Sequence, residues 1–258
     1  LDGQPEDAAE ITPVNRHSMW VAVVLVVVAI VALIRFASLT ASTSLGITES
    51  VQITHDGSPF VGRPLETDGR RVFYRRIPDN RFVSVPVGGG ESKEVFDPPS
   101  LFDLADPGSP SQYLVIKNET QGDEGELWAV PKTSGIPHRL GALTAIDARW
   151  SPDGGRLALV SKAQLVLADG NGTRPVRVST PRRGAVLYPR WSPDGSRVRF
   201  TVNEPRDGMT PASNIWEVSR DGGEPRLVLP DWNPSIGTCC GVWTSGGRRF
   251  VFQANRGD

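Results

Sequence analysis

The chain has 258 residues, and its 28 lysines and arginines stand against 29 aspartates and glutamates. A formal charge of −1 excludes nucleic-acid binding through bulk charge. The 27 glycines and 22 prolines interleave with apolar runs, which excludes a disordered chain and points to many tight turns between strands.

Residues 1–17 hold four acidic side chains, Pro5, Pro13 and a single arginine, Arg16, and read as a flexible linker. A secretory signal peptide wants a basic leader and a small-residue cleavage site, and neither is present. Met19 to Ile34 is a run of sixteen residues without a charge, with Trp20 at its edge where an interfacial aromatic belongs. At 1.5 Å per residue the run spans about 24 Å, and continuation past a snorkelling Arg35 to Leu39 brings it to about 31 Å, the thickness of a bilayer core. Residues 18–39 are therefore expected to form a single transmembrane helix. Arg16 and Arg35 nearly cancel under the positive-inside rule, so charge alone does not orient it. Residues 40–49, rich in Ser and Thr, read as a juxtamembrane stalk.

From residue 50 to 258 the chain reads as all-β. Val51-Gln52-Ile53-Thr54 is expected to be an outer strand that completes the last blade of a ring. A five-residue frame then recurs: Leu65 to Gly69, Leu104 to Gly108, Trp150 to Gly154, Trp191 to Gly195 and Trp243 to Gly247. The third and fourth copies both read WSPDG, and 41 residues separate their tryptophans, about the length of one four-stranded propeller blade. The frame is a hairpin corner. Pro152 and Pro193 preset φ for a tight turn, Asp153 and Asp194 can bond their own backbone, and Gly154, Gly195 and Gly247 tolerate the left-handed conformation. A second hairpin follows each full copy: Phe82 to Phe96 around Gly88-Gly89-Gly90, Leu127 to Leu140 around Gly135, Leu165 to Val178 around Asp169 to Gly172, and Asn214 to Leu229 around Arg220 to Gly223. Four strands per repeat, stacked radially to bury their faces, make a β-propeller. About four and a half repeats are present, the last lacking its second hairpin, which reads as a propeller truncated at its C-terminus with an exposed edge strand.

The WSPDG turn, the IWEVS strand (Ile215 to Ser219) and the DGGEPR turn (Asp221 to Arg226) resemble the TolB-type propeller repeat over roughly residues 49 to 258. Pro230 to Gln253, with Cys239-Cys240-Gly241-Val242-Trp243, resembles the membrane-tethered propellers behind winged-helix, CadC-type transcriptional regulators of soil bacteria such as Acidobacteria. That resemblance implies a single-pass protein of the bacterial inner membrane, with its N-terminus inside and its propeller in the periplasm. It implies a cytoplasmic DNA-binding domain that this chain lacks, so nucleic acid would be reached only through that domain.

No residue set announces catalysis. A nucleophilic serine would come with a G-x-S-x-G elbow and a histidine base, and no elbow exists. His17 precedes the membrane run, and His55 and His138 sit in loop-like contexts. Asp68, Asp153 and Asp194 recur at the turn, where capping accounts for them. No cofactor fingerprint is present. Metal binding is not expected, because Cys239 and Cys240 lack C-x-x-C spacing. In an oxidising setting the two cysteines can close a vicinal disulfide; reduced thiols packed beside Trp243 are the preferred alternative.

The arginine pairs at 70–71, 75–76, 182–183 and 248–249 read as solvated strand edges. Asn118-Glu119-Thr120, Asn171-Gly172-Thr173 and the terminal Arg256-Gly257-Asp258 match short motifs that are common by chance. Trp128, Trp150, Trp191, Trp216 and Trp243 fall on repeat strands, as core between sheets or near a central channel. The expected function is that of a membrane-anchored, extracytoplasmic sensor or binding module, which recognises a protein or small ligand at the loops of one face or at the channel mouth and passes that state to a cytoplasmic effector, by resemblance a winged-helix transcriptional regulator. Two alternatives are a substrate-gating propeller of a prolyl-oligopeptidase or dipeptidyl-peptidase type serine peptidase, and an envelope scaffold.

Overall fold

The computed structural model describes residues 16–40, 52–54, 65–76, 79, 81–96, 102–109, 111–118, 123–180, 184–205, 212–230, 237–244 and 247–254. The linker over 1–15, the stalk over 41–49, His55, Arg182-Arg183, Glu119-Thr120 and Arg256-Gly257-Asp258 lie outside the described residues, as does the side chain of His17. The chain divides into two compact units, Leu1–Val51 and Gln52–Asp258.

The first unit holds one helix, α1 (Arg16–Thr40), over the uncharged run. Its described side chains, 19–32, are all exposed. Among the described residues no helix is long and apolar enough to cross a membrane. The helix expected over residues 18–39 is present as part of α1.

In the second unit, local turn chemistry cuts the chain into β-hairpins. Four antiparallel sheets of four strands follow in chain order. The first is β1 (Glu66–Thr67), β2 (Arg71–Arg75), β3 (Phe82–Pro86) and β4 (Lys93–Phe96). The second is β5 (Phe102–Asp106), β6 (Gln112–Lys117), β7 (Gly125–Pro131) and β8 (His138–Ala145). The third is β9 (Asp147–Trp150), β10 (Arg156–Ser161), β11 (Gln164–Asp169) and β12 (Val176–Arg177). The fourth is β13 (Ala185–Trp191), β14 (Arg197–Glu204), β15 (Ala212–Ser219) and β16 (Gly222–Leu227). A two-stranded sheet, β17 (Thr238–Trp243) and β18 (Phe250–Ala254), comes last.

Each WSPDG-type frame joins the first and second strand of its sheet. In the third sheet Gly154 N–H donates to the Ser151 carbonyl at 2.8 Å, and Asp153 Oδ1 accepts from Ser151 Oγ at 2.6 Å and Gly155 N–H at 3.0 Å. The fourth repeats this with Ser192, Asp194, Gly195 and Ser196. In the last sheet Thr244 takes the serine's place and accepts from Gly247 N–H at 2.8 Å. Gly154, Gly195 and Gly247 hold φ of 71°, 68° and 66°, which only glycine adopts without strain. The second copy departs from the pattern: Asp106 itself accepts from Gly108 N–H at 2.8 Å, and a bulge lies between Leu104 and Asp106.

Strand alternation does the packing. Leu157 and Leu159 of β10 and Val166 and Ala168 of β11 face the second sheet and join Leu114, Ile116, Leu127 and Leu140. The residues between them, Ala158, Val160, Leu165 and Leu167, face the fourth sheet and join Val198, Phe200, Trp191 and Trp216. One sheet thus feeds two cores, which is why Leu157 to Val160 of β10 and Leu165 to Ala168 of β11 are unbroken apolar runs. Phe73, Phe82, Leu104 and Val115 form the equivalent core between the first and second sheets. First strands succeed one another around a common axis: β1 neighbours β5, β5 neighbours β9, β9 neighbours β13, and β13 neighbours β17. The stacking is radial, as in a propeller.

Four expectations are corrected. Gln52-Ile53-Thr54 forms no strand; Ile53 instead packs on Tyr74, Val83 and Val85 of the first sheet. His138 opens β8 rather than lying in a loop. Arg75 is not a solvated edge residue: it is 5% exposed and pairs with the similarly buried Asp103 of the second sheet at 2.8 Å. Asn118 Nδ2 donates to the other oxygen of Asp103 at 2.8 Å, which leaves that buried carboxylate well bonded. Finally, the preferred thiol reading gives way, because Cys239 and Cys240 are joined as a disulfide within β17.

Candidate functional site

The first strands, which neighbour one another from sheet to sheet, carry a group of charged residues. Glu66 lies on β1, Asp106 ends β5, Asp147 and Arg149 lie on β9, and Arg190 lies on β13. Four successive sheets therefore contribute to one cluster. Arg149 Nη2 donates to Glu66 Oε1 at 2.5 Å across 83 positions of sequence. Arg149 Nη1 donates to the Ala148 carbonyl at 3.2 Å and stands 3.7 Å from Asp147 Oδ1. Arg190 Nη1 donates to the Pro189 carbonyl at 2.9 Å and stands 3.7 Å from Asp147 Oδ2.

Burial and charge compete here. Burial pushes the Glu66 carboxyl above its usual range although Arg149 and Arg190 pull it down. Burial would depress Arg149 too, but Asp147, Glu66 and Asp106 outweigh it and hold that guanidinium above its ordinary range. For Arg190, burial and then the repulsion of Arg149 win, and its pKa falls below the usual value.

Above the cluster opens a cleft of about 530 Å3. Its lining comes from the first turns of the second and third sheets, with Ser109, Ser111 and Pro152, and from Asp106, Arg149, Arg190, Trp150 and Trp191. A second cavity of about 200 Å3 adjoins the cluster, lined by Leu104, Ile146, Leu187 and Tyr188 together with Glu66, Asp147 and both arginines. The two arginines stand between cleft and cavity.

The turn residues singled out from the sequence frame this site more than they act in it. Trp150 and Trp191 anchor it: Trp191 Nε1 donates to the Arg149 carbonyl at 3.1 Å, and Trp150 N–H donates to Asp106 Oδ2 at 2.9 Å. Asp153 and Gly154 line the cleft, whereas Trp243 stacks edge-on with Phe250 at 5.1 Å beneath the Arg199 guanidinium. Trp128 is half-buried and bonds to Glu126, and Trp216 lies in the core of the fourth sheet. Sequence reasoning missed Glu66, Asp147, Arg149 and Arg190. One signal was present: an arginine directly precedes the tryptophan in both WSPDG copies. Among the described residues no three His, Cys, Asp or Glu side chains gather as a metal site.

Solved structures resemble the second unit. TolB from Acinetobacter baumannii superposes with a TM-score of 0.52 at 12% identity, over 77% of this chain and 55% of its own. The fold is a TolB-like β-propeller. Tricorn protease gives 0.52 at 12% identity over 81% of this chain and 20% of its own. An oligogalacturonate lyase from Vibrio parahaemolyticus gives 0.51 at 13% over 76% and 58%. At these identities the likeness is one of fold. No family model and no curated protein matches the sequence. Within the TolB-like propeller, the cluster joins the first strands of four successive sheets and lines a cleft beside their turns, and concave sites with a few convergent polar groups are the usual places for ligands.

Proposed function

We propose that the chain is the binding module of a bacterial envelope sensor. Its propeller, outside the cytoplasm, takes a protein or small ligand at the axial cleft, and the N-terminal helix holds it at the inner membrane and couples it to a cytoplasmic effector. The observation that carries the binding role is the open cleft over Arg190, a guanidinium that still has donors to give. Attachment through α1 is supported by the uncharged run Met19 to Ile34 and by the exposed apolar side chains along it. A winged-helix transcriptional regulator as effector is supported by the resemblance of Pro230 to Gln253, with Cys239 to Trp243, to propellers behind such regulators.

Fractionation of bacteria producing the full chain tests the arrangement. The chain is expected in the membrane pellet after alkaline carbonate washing, and its propeller is expected to be cut by protease added to spheroplasts. Recovery in the carbonate supernatant, or a propeller shielded until the membrane is lysed, would overturn it. A second reading, the substrate-gating propeller of a serine peptidase, is supported by the likeness to tricorn protease. In that reading, the propeller pairs with a hydrolase domain and modulates which peptides are cleaved.

A further inference from the structure

The two arginines that line the axial cleft are not equivalent. Arg149 is taken up by Glu66, Ala148 O and Asp147. Among the described residues Arg190 has one hydrogen bond, to the carbonyl beside it, and its closest carboxylate, Asp147 Oδ2, stands at 3.7 Å, outside hydrogen-bond range. A guanidinium carries five N–H donors in a fork that matches a carboxylate. The other acidic groups nearby are engaged: Asp106 spends its oxygens on Gly108 N–H and Trp150 N–H, and Glu66 is turned to Arg149.

The backbone has been bent to put Arg190 there. β13 carries a bulge between Leu187 and Arg190, and Tyr188 within it holds φ of 53°, an outlier for an aromatic residue. Bulges and backbone outliers of this kind re-aim side chains at binding sites. Leu187 and Tyr188 of the same bulge line the 200 Å3 cavity with Leu104 and Ile146, and Glu66, Asp147 and the two arginines complete its lining. That space equals roughly six or seven water volumes, the size of a short branched hydrocarbon.

Given the proposed role of the cleft as a ligand site, on which this assignment rests, we infer that it binds an amphiphilic carboxylate. The carboxylate lies on Arg190, and a short branched apolar group fills the space between Leu104, Ile146, Leu187 and Tyr188. Two sources share that chemistry, the C-terminal residue of a peptide and a free branched-chain acid.

Calorimetric titration of the full chain in detergent tests this with three probes: N-acetyl-L-leucine, N-acetyl-L-leucinamide and 4-methylpentanoate. The acid forms are expected to bind saturably, and the amide about tenfold or more weakly, because it cannot pair with the guanidinium. Tighter binding of N-acetyl-L-leucine than of 4-methylpentanoate points to a peptide terminus; the reverse points to a free acid. Arg190→Gln is expected to weaken acid binding by tenfold or more, with Arg190→Lys in between. Should the Gln variant fail to fold, the ratio of acid to amide on the unaltered chain still decides. Equal binding of amide and acid overturns the carboxylate assignment while leaving the cleft a ligand site. No heat from any probe at roughly 10 mM overturns the assignment too, and the fractionation result for the sensor arrangement stands apart from both.

Discussion

Asp194 shows what the recurring turn asks of a single side chain. Ser192 Oγ, Ser196 N–H and Ser196 Oγ all donate to its carboxylate, and these bonds, the Ser192 one foremost, hold its pKa down to about 2. Asp153, bonded by Ser151 and then Arg220, lies lower still. An unfolded aspartate titrates near 3.9. Between about pH 4 and about pH 2 the unfolded chain takes up a proton at Asp194 that the folded chain refuses. The turn's contribution is therefore whole above pH 4 and gone below pH 2. It is a small one, because the group is exposed and screened. Carbon-detected NMR titration of the native protein should place the Asp194 carboxyl midpoint near 2, and Ser192→Ala should raise it. A native midpoint near 3.9 would show that the turn is not closed in solution. For single residues the sequence was legible wherever chemistry is local, as in Ser192-Pro193-Asp194-Gly195. It was silent where a residue's role depends on a distant partner, as for Arg75 with Asp103.

Between strands, the corners must nest into one another as well as close. The first turn of the third sheet packs on the second: Gly170 N–H donates to the Gly155 carbonyl at 2.9 Å, and Trp150 Nε1 donates to the Gly170 carbonyl at 3.0 Å. A Cβ on Gly170 would stand 2.0 Å from the Gly154 carbonyl oxygen, a backbone atom that cannot swing aside. Gly170→Ala should therefore cost about 1–3 kcal/mol through forced backbone displacement. Gly88, whose Cβ position is open, should accept alanine with little change. Urea unfolding monitored by circular dichroism compares the two, and equal midpoints would show that the corners do not nest. Hairpins were readable from Pro, Asp and Gly spacing, including both hairpins of the third and fourth sheets. The nested corners and the bulge at Tyr188 were not, since each is set by a neighbouring backbone rather than by the residues that form it. Val51 to Thr54 misled for the same reason: an apolar alternation reads as a strand, yet Ile53 finds its burial by packing on a sheet face.

Radial repetition makes stability a matter of neighbours. Each four-stranded sheet contributes its own hairpins and a core shared with the next, so protection should follow the number of flanking sheets. The third sheet lies between two cores, with Leu157, Leu159, Val160 and Leu165 fully buried. Among the described residues β17 and β18 form a two-stranded sheet, and alternate positions of β18 are exposed. The charged cluster at the axis has the same origin. Glu66 and Arg149 meet only because three sheets have curved around one line, and the two lie 83 positions apart in sequence. Hydrogen exchange read by mass spectrometry should thus grade along the chain. β10 and β14 are expected to be slowest, β2 intermediate and β18 fastest. Reduction of the Cys239–Cys240 disulfide should speed exchange in β17 and β18 and leave β10 unchanged, because nearest-neighbour coupling decays across an intervening sheet. Uniform exchange over all five sheets, or a loss of protection in β10 on reduction, would mean that the unit opens as one cooperative body. The terminal pair would then be integral to the propeller rather than its most loosely held sheet.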